Sequence, residues 1–363
     1  MKQVQVFSSF DALPAGLEIY FNQASNTSIF YSLPWFKNYV DTVLEANSDL
    51  RIYTIKKADA AIALLPMQVN SHLAGSLAPR MLQGLGNYYS SLFGPILSGN
   101  DSQAMLEGLI FAISEERPKW DIIDLHPLDR EAMTFNQLLQ AFKCAGLWVT
   151  SYYCFGNWYL EVNGRSYKDY FQSLPSRLKN TLKRKNKRLD VLTNLHIEIL
   201  TGENNLDQAI NDYVSIYNIR WKKVEPYPNF ISGLIHTCAE QGWLRLGMMY
   251  VDGQPAAAQI WIVHGGTAAI YKLAHDTKFN KLSVGSILTA ALMEYVIDVD
   301  KVAVVDYLTG DDAYKKDWMS HRRERWGIVA CNPYTPRGLL AAIRHFGGDK
   351  LKSLLHAVSG SRR

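Results

Sequence analysis

The chain reads AHDTKFNKLSVGSILTAALMEYV over residues 274–296, and the change of character in the middle of this stretch decides the fold. Val284, Ile287, Leu288, Ala291, Leu292, Tyr295 and Val296 recur at helical spacing, which predicts a helix over Ser283–Val296 with one buried stripe. A polar loop, His275–Leu282, precedes it. Ser283 stands where an N-cap is expected, and Gly285 in the first turn would let a ligand come close to the backbone. First-turn N–H groups have no partner within a helix, so this end, with Lys278 and Lys281 beside it, suits an anion. An isolated Ser-x-Gly is more often a plain cap on a packing helix, and the surroundings have to decide.

Toward the N-terminus, Trp243–Tyr250, Ala256–Val263 and Ala268–Ala274 read as strands joined by Asp252-Gly253 and Gly265-Gly266 turns, an antiparallel meander. Toward the C-terminus follow a strand at Val302–Leu308, a short helix at Ala313–Met319 and a strand at Trp326–Ala330. Upstream, residues 204–221 form an amphipathic pattern with Leu206, Ile210, Tyr213, Val214 and Tyr217 on one face, capped by Asn204 or Asn205. Residues 157–166 read as a strand and turn.

The first half has an aromatic helix at Tyr31–Leu44, strands at Arg51–Ile55 and Ala61–Val69, and a strand-like aromatic stretch at Asn87–Pro95. A helix at Ser102–Ser114, a strand at Asp121–Leu125 and a helix at Ala132–Ala145 complete it. The expected class is α/β (α+β), with mixed, largely antiparallel sheets flanked by helices. A boundary near Gly156 gives an N-terminal domain over 1–156 and a C-terminal domain over 157–363 that ends in helices.

The 363 residues, 48% hydrophobic and 20% charged, suffice for two globular domains. No uncharged apolar run approaches the roughly 18 residues that span a bilayer, and the N-terminus lacks a signal-peptide pattern, so a cytoplasmic location is expected. Cys144, Cys154, Cys238 and Cys331 show no CxxC spacing and the nine histidines no HxxxH spacing, so no metal is expected. Residues 1–150 carry 10 basic and 14 acidic side chains and residues 151–363 carry 28 and 20, which gives the halves net charges of −4 and +8. That asymmetry points to an anionic ligand on the second half.

Three spaced motifs, A-x-D-x-x-F-x-x-x-S-x-G (Ala274, Asp276, Phe279, Ser283, Gly285), D-Y-L-x-G (Asp306–Gly310) and Y-K-x-x-W (Tyr314, Lys315, Trp318), resemble those of one bacterial family. It is the GNAT-superfamily acetyltransferases associated with exopolysaccharide and cellulose biosynthesis, related to the Fem aminoacyl transferases of peptidoglycan bridge synthesis. The likeness covers residues 165–330 well and the first half in outline. It implies tandem GNAT-like domains with a cleft between them, the first degenerate and facing the acceptor. The second keeps the acyl-CoA site, with Lys281, Ser283, Val284, Gly285 and Ser286 wrapping the pyrophosphate. This loop departs from the Q/R-x-x-G-x-G/A pattern of standard acetyl-CoA enzymes, and no long coiled-coil arm is present as in some Fem enzymes.

Tyr314 stands where many GNAT enzymes place a tyrosine that protonates the departing thiolate; the alternative is a tyrosine packed on Trp318. A phenol of ordinary pKa, about 10, is protonated at neutral pH. Asp306, at the end of a valine-rich strand, and Asp276 are candidate bases, although an aspartate in a loop such as Asp276 more often accepts from nearby backbone. Lys315 is a candidate for binding phosphate or carboxylate, or simply an exposed lysine. Ser176–Leu189 holds seven basic residues and no acid. With Leu178, Leu182 and Leu189 buried, Arg177, Arg184 and Arg188 would share a face that attracts an anionic substrate or is only solvated. Arg220-Trp221 could reach the same cleft, and Tyr88 and Tyr89 could stack on a ring of the acceptor.

The leading expectation is transfer of an acyl group from acyl-CoA, such as acetyl-CoA, to an amine or hydroxyl of an anionic sugar, nucleotide-sugar or amino-acid-derived acceptor. Backbone N–H groups of Ala268–Ala274 would stabilise the oxyanion. Aminoacyl-tRNA as donor and a non-catalytic binding module are the alternatives. No RNA-recognition motif accompanies the basic helix, and DNA is not an expected partner.

Overall fold

The computed structural model describes residues 4–44, 50–56, 62–69, 78–189, 194–220 and 225–345, with Arg188, Leu189 and Arg220 described in backbone only. In chain order its elements begin with β1 (Val4–Phe7), α1 (Glu18–Ser25), α2 (Leu33–Val43), β2 (Leu50–Lys56), β3 (Ile62–Val69), β4 (Met81–Gly84) and β5 (Ile96–Ser98). Then come α3 (Ser102–Glu115), β6 (Ile122–Asp129), α4 (Met133–Cys144), β7 (Trp148–Glu161), α5 (Tyr167–Ser173), α6 (Ser176–Leu189), β8 (Leu195–Leu200) and α7 (Leu206–Arg220). The series closes with α8 (Pro228–Glu240), β9 (Leu244–Val251), β10 (Gln254–His264), β11 (Thr267–His275), α9 (Val284–Glu294), β12 (Val304–Asp306) and β13 (His321–Cys331), and a helix over residues 336–345.

Two compact units result, one of Met1–Ala24, Leu44–Cys154 and Glu324–Arg363, the other of Ser25–Val43 and Phe155–Arg323. A single cut at Gly156 therefore does not describe them. β7 leads from the first unit into the second, β13 leads back, and α2 belongs with the second unit. There its Trp35 ring meets Phe230 edge-on at 5.6 Å and Asn38 Nδ2 donates to the Phe230 carbonyl at 3.3 Å.

In the first unit β1, β2 and β3 pair antiparallel, and β4 pairs antiparallel with β3 but parallel with β6. α3 and α4 lay Leu106, Leu109, Ile113, Leu138 and Phe142 on a core with Ile55, Leu65 and Ile123. The β4–β6 pair spans Met81–Gln83 against Ile122–Asp124 and then parts. The gap is filled from within: the Phe93 N–H donates to the Pro127 carbonyl of β6 at 2.6 Å, and the Phe93 ring lies so near Gly84 that a Cβ there would sit 2.7 Å from it. Asn87–Pro95, expected as a strand, is a turn and an irregular segment. Asn87 organises it by accepting from the Tyr89 N–H at its side chain and from the Ser90 N–H at its carbonyl, both at 2.9 Å.

In the second unit β8, β9, β10 and β11 pair antiparallel in sequence order, β11 pairs parallel with β12, and β12 antiparallel with β7. The stripe of α9, Val284, Ile287, Leu288, Leu292 and Met293, is buried against Trp261, Ile270 and Val305, with α5 and α6 contributing Tyr170 and Leu182. On α7 the buried stripe runs through Leu206, Ile210, Tyr213 and Ile216, while Val214, expected within it, is exposed.

β11 and β12 share only three residue pairs, Thr267–Ala269 with Val304–Asp306. Beyond Ala269, β11 runs on to His275 with a described strand partner on its β10 side only, and the parallel pair opens into a wedge. A bulge accompanies the opening: Trp261 faces Ile270 and Ile260 faces Lys272, leaving Tyr271 as the extra residue. The strand expected at Val302–Leu308 shortens to β12, and the helix expected at Ala313–Met319 is a 3-10 turn over Lys315–Asp317.

Candidate active site

A cavity of 370 Å³ occupies the wedge of the second unit. β11 supplies Leu273, Ala274 and His275, β10 Gln259, and α9 Gly285, Ser286 and Thr289; the segment after β12 closes the other wall with Tyr307, Asp312, Tyr314 and Trp318. The start of α9 is fixed from below. Buried Gln259 donates from Nε2 to the Gly285 carbonyl at 2.8 Å and to Thr289 Oγ1 at 2.9 Å, and its Oε1 accepts from Trp261 Nε1 at 2.9 Å. A Cβ on Gly285 would make only an ordinary van der Waals contact, with His275 Nδ1 at 3.5 Å, and Gly285 itself lines the cavity.

The donor-loop residues divide. Ser286 lines the cavity with Gly285, Val284 is fully buried in the core, and Lys281 is exposed, its carbonyl accepting from Lys185 Nζ of α6. Ser283 is not the side-chain cap expected. It adopts the left-handed conformation, φ 59°, makes no capping bond through its hydroxyl, and donates its N–H to the Asn280 carbonyl. A 3-10 turn over Thr277–Leu282 runs straight into α9, and this left-handed residue turns the chain between them.

Both carboxylates proposed as bases have other work. Asp276 is the N-cap of that 3-10 turn, accepting from the Lys278 N–H at 2.9 Å and pairing with Lys278 Nζ at 3.3 Å. Asp306 is 5% exposed and accepts from Asn157 Nδ2 at 2.6 Å, from the Leu308 N–H at 2.7 Å and from Arg323 Nη2. Buried among these donors, it does not line the cavity.

Lys315 is neither exposed nor directed at the cavity. It is 4% exposed, and Nζ donates to the carbonyls of Tyr307 at 3.3 Å, Thr309 at 2.5 Å and Gly310 at 3.2 Å, with Asp312 Oδ2 at 3.6 Å. Burial lowers its pKa, partly opposed by Asp312. Tyr314, by contrast, is half exposed at the cavity wall, its ring edge-on to Tyr307 at 5.8 Å, and Trp318 lines the same wall. The Tyr307 phenol is pushed up by burial, and it stays protonated.

Arg177 and Arg184 are exposed on α6, whose Leu182 is buried in the core; the side chains of Arg188 and Arg220, and Trp221 entirely, lie outside the described residues. Tyr88 is exposed and Tyr89 buried, both in the first unit, so they do not form one stacking surface. The cavity adds residues that sequence reasoning missed: His275, Gln259, Thr289, Tyr307 and Asp312. Of these His275 and Tyr307 lie within the quoted motifs without having been assigned a role; Gln259 and Thr289 become visible once β10 and α9 are known to pack.

An antiparallel meander, a parallel pair that parts around a helix N-terminus and a cavity in the parting define the GNAT fold, and residues 176–316 match a family model described as an acetyltransferase (GNAT) domain. A crystal structure of FemX is similar over 85% of this chain and 95% of its own, at 11% identity and a TM-score of 0.59. A tandem GNAT protein from the clavulanic acid biosynthesis pathway is similar over 92% and 100%, at 10% identity and a TM-score of 0.50. The C-terminal domain of a putative lysylphosphatidylglycerol synthetase from Agrobacterium fabrum is similar over 90% and 96%, at 11% and 0.50. Identities this low carry the fold alone. No curated protein sequence matches the chain.

Proposed function

We propose that the protein is an acyltransferase that moves an acyl group from acyl-CoA, acetyl-CoA in the simplest case, to an amine or hydroxyl of a sugar, nucleotide-sugar or amino-acid-derived acceptor. The observation that carries this reading is the cavity in the wedge, bounded on one side by the parted edge of β11 and at one end by the first turn of α9. A thioester fits such a place. The α9 first turn at Gly285 and Ser286, with Lys281 outside, offers N–H groups and positive charge to the diphosphate, and the backbone of β11 offers donors to the carbonyl oxygen.

The acceptor nitrogen or oxygen attacks the thioester carbon, the C–S bond breaks, and the Tyr314 phenol gives its proton to the leaving thiolate. The proton released by the acceptor returns to Tyr314 through solvent, so the balance is acyl-CoA plus acceptor to acylated acceptor plus free thiol. No covalent intermediate is required. The test is single-turnover thiol release from acetyl-CoA in wild type and Tyr314→Phe. Loss of the hydroxyl should lower the rate by about 100-fold with donor affinity nearly unchanged. Equal rates would make Tyr314 a packing residue.

A second reading keeps the acceptor chemistry and replaces acyl-CoA by aminoacyl-tRNA; the similarity to FemX and the exposed Arg177 and Arg184 of α6 favour it. Deacylation of charged tRNA, with no thiol released from acetyl-CoA, would be its signature.

A further inference from the structure

The segment between β12 and the cavity wall is pinned at both ends by opposite charges. Asp306 holds the start, accepting from the Leu308 N–H, while Asn157 Nδ2 bridges from Asp306 to the Leu308 carbonyl at 2.9 Å. The Asn157 Oδ1 in turn accepts from Arg323 Nε at 2.7 Å. At the far end, Leu308 with φ 52° and Gly310 with φ 104° belong to a turn whose carbonyls, from Tyr307, Thr309 and Gly310, converge on one point. Three carbonyl dipoles aimed at one another repel unless a cation stands between them, and a buried ammonium is costly unless acceptors surround it. Each arrangement requires the other. A Cβ at Gly310 would lie 3.3 Å from both Lys315 Nζ and Asp312 Oδ2, so the closest approach of the turn is made at glycine.

We infer that Lys315 is a positioning residue for the cavity: its ammonium is the internal counter-charge of the turn and fixes where Tyr307, Asp312 and Tyr314 stand on the wall. The inference rests on the proposed acyltransfer only for its kinetic arm. Burial lowers the pKa of Lys315, and Asp312, Asp306 and Asp311, in that order, oppose the shift and keep a cation in place. Lys315 itself makes no contact with α9, and the route from Tyr307 to the Gly285 carbonyl runs through the Thr289 hydroxyl, so the donor's diphosphate would feel the loss of Lys315 only at second hand.

The experiment compares wild type with Lys315→Gln, Lys315→Met and Lys315→Arg in the full chain. Hydrogen exchange of the 307–312 backbone is read by mass spectrometry, and acetyl-CoA affinity and thiol release with water as acceptor are measured beside it. Lys315→Gln and Lys315→Met should speed exchange at least tenfold in this segment while leaving α9 and β9–β11 unchanged. They should lower the thiol-release rate by more than tenfold with the acetyl-CoA Kd within about threefold, and Lys315→Arg should recover part of both. Unchanged exchange in a folded Gln or Met variant overturns the inference. So does a loss spread evenly over the unit, with melting temperature, Kd and rate falling together in all three variants. If wild type binds no acetyl-CoA the proposed donor is wrong, and the exchange arm still decides the role of Lys315.

Discussion

Asp306 reads in the sequence as a candidate base and Lys315 as a candidate for binding phosphate or carboxylate, yet each is consumed by the fold. A buried carboxylate held by three donors and a buried ammonium whose three N–H groups meet three carbonyls are both engaged inside the fold, and neither lines the cavity. The two roles make different predictions for Asp306→Asn. A base would lose rate and keep stability. A clamp leaves Arg323 without its anion, costing about 2–4 kcal/mol, less than for a fully buried pair because the Arg323 side chain remains 28% exposed. Urea melts of Asp306→Asn measure this, and an unchanged midpoint would return Asp306 to the list of bases. Sequence spacing placed these residues near the cavity but could not show which way the loop over residues 307–314 folds back on itself. Ser283 illustrates the same limit: the residue type reads as a cap, and only the positive φ shows that it turns the chain instead.

At the scale of elements the periodicities carried most of the information. The hairpin turns at Asp252-Gly253 and Gly265-Gly266 and the stripe of α9 lie where the sequence places them, because a meander and an amphipathic helix are each specified by their own residues. α1 and α8 were not anticipated. α8 begins at Pro228, a residue that favours a first helical turn, in a stretch where the sequence reading places no element. Val214 misled because Ile216, fully buried two residues on, defines the inner face of α7. α6 combines both cases, with Leu182 1% exposed beneath an outward row of charges. Leu182→Ala should cost about 2–5 kcal/mol by denaturant melts, whereas Arg184→Ala should stay within about 0.5 kcal/mol. Equal effects would mean that α6 is not seated on α9 by this leucine.

Among the described residues each unit contains a parallel strand pair that parts after three residues, β4 with β6 in the first and β11 with β12 in the second. Their fates differ. In the first unit Phe93 bonds to β6 and fills the parting against Gly84, whereas in the second the parting holds a 370 Å³ cavity lined by the start of α9. The repeated topology was legible only in outline, since the closing segment contains the aromatic run that reads as a strand. The proposed function requires that one wedge, at Gly285, receive the donor. Calorimetric titration of acetyl-CoA into wild type and Gly285→Glu tests it most directly, with circular dichroism confirming that both are folded. One molecule bound per wild-type chain, and no binding to the variant because a carboxylate occupies the diphosphate position, is the expected result. Two molecules per chain, none at all, or undiminished binding to folded Gly285→Glu would contradict it.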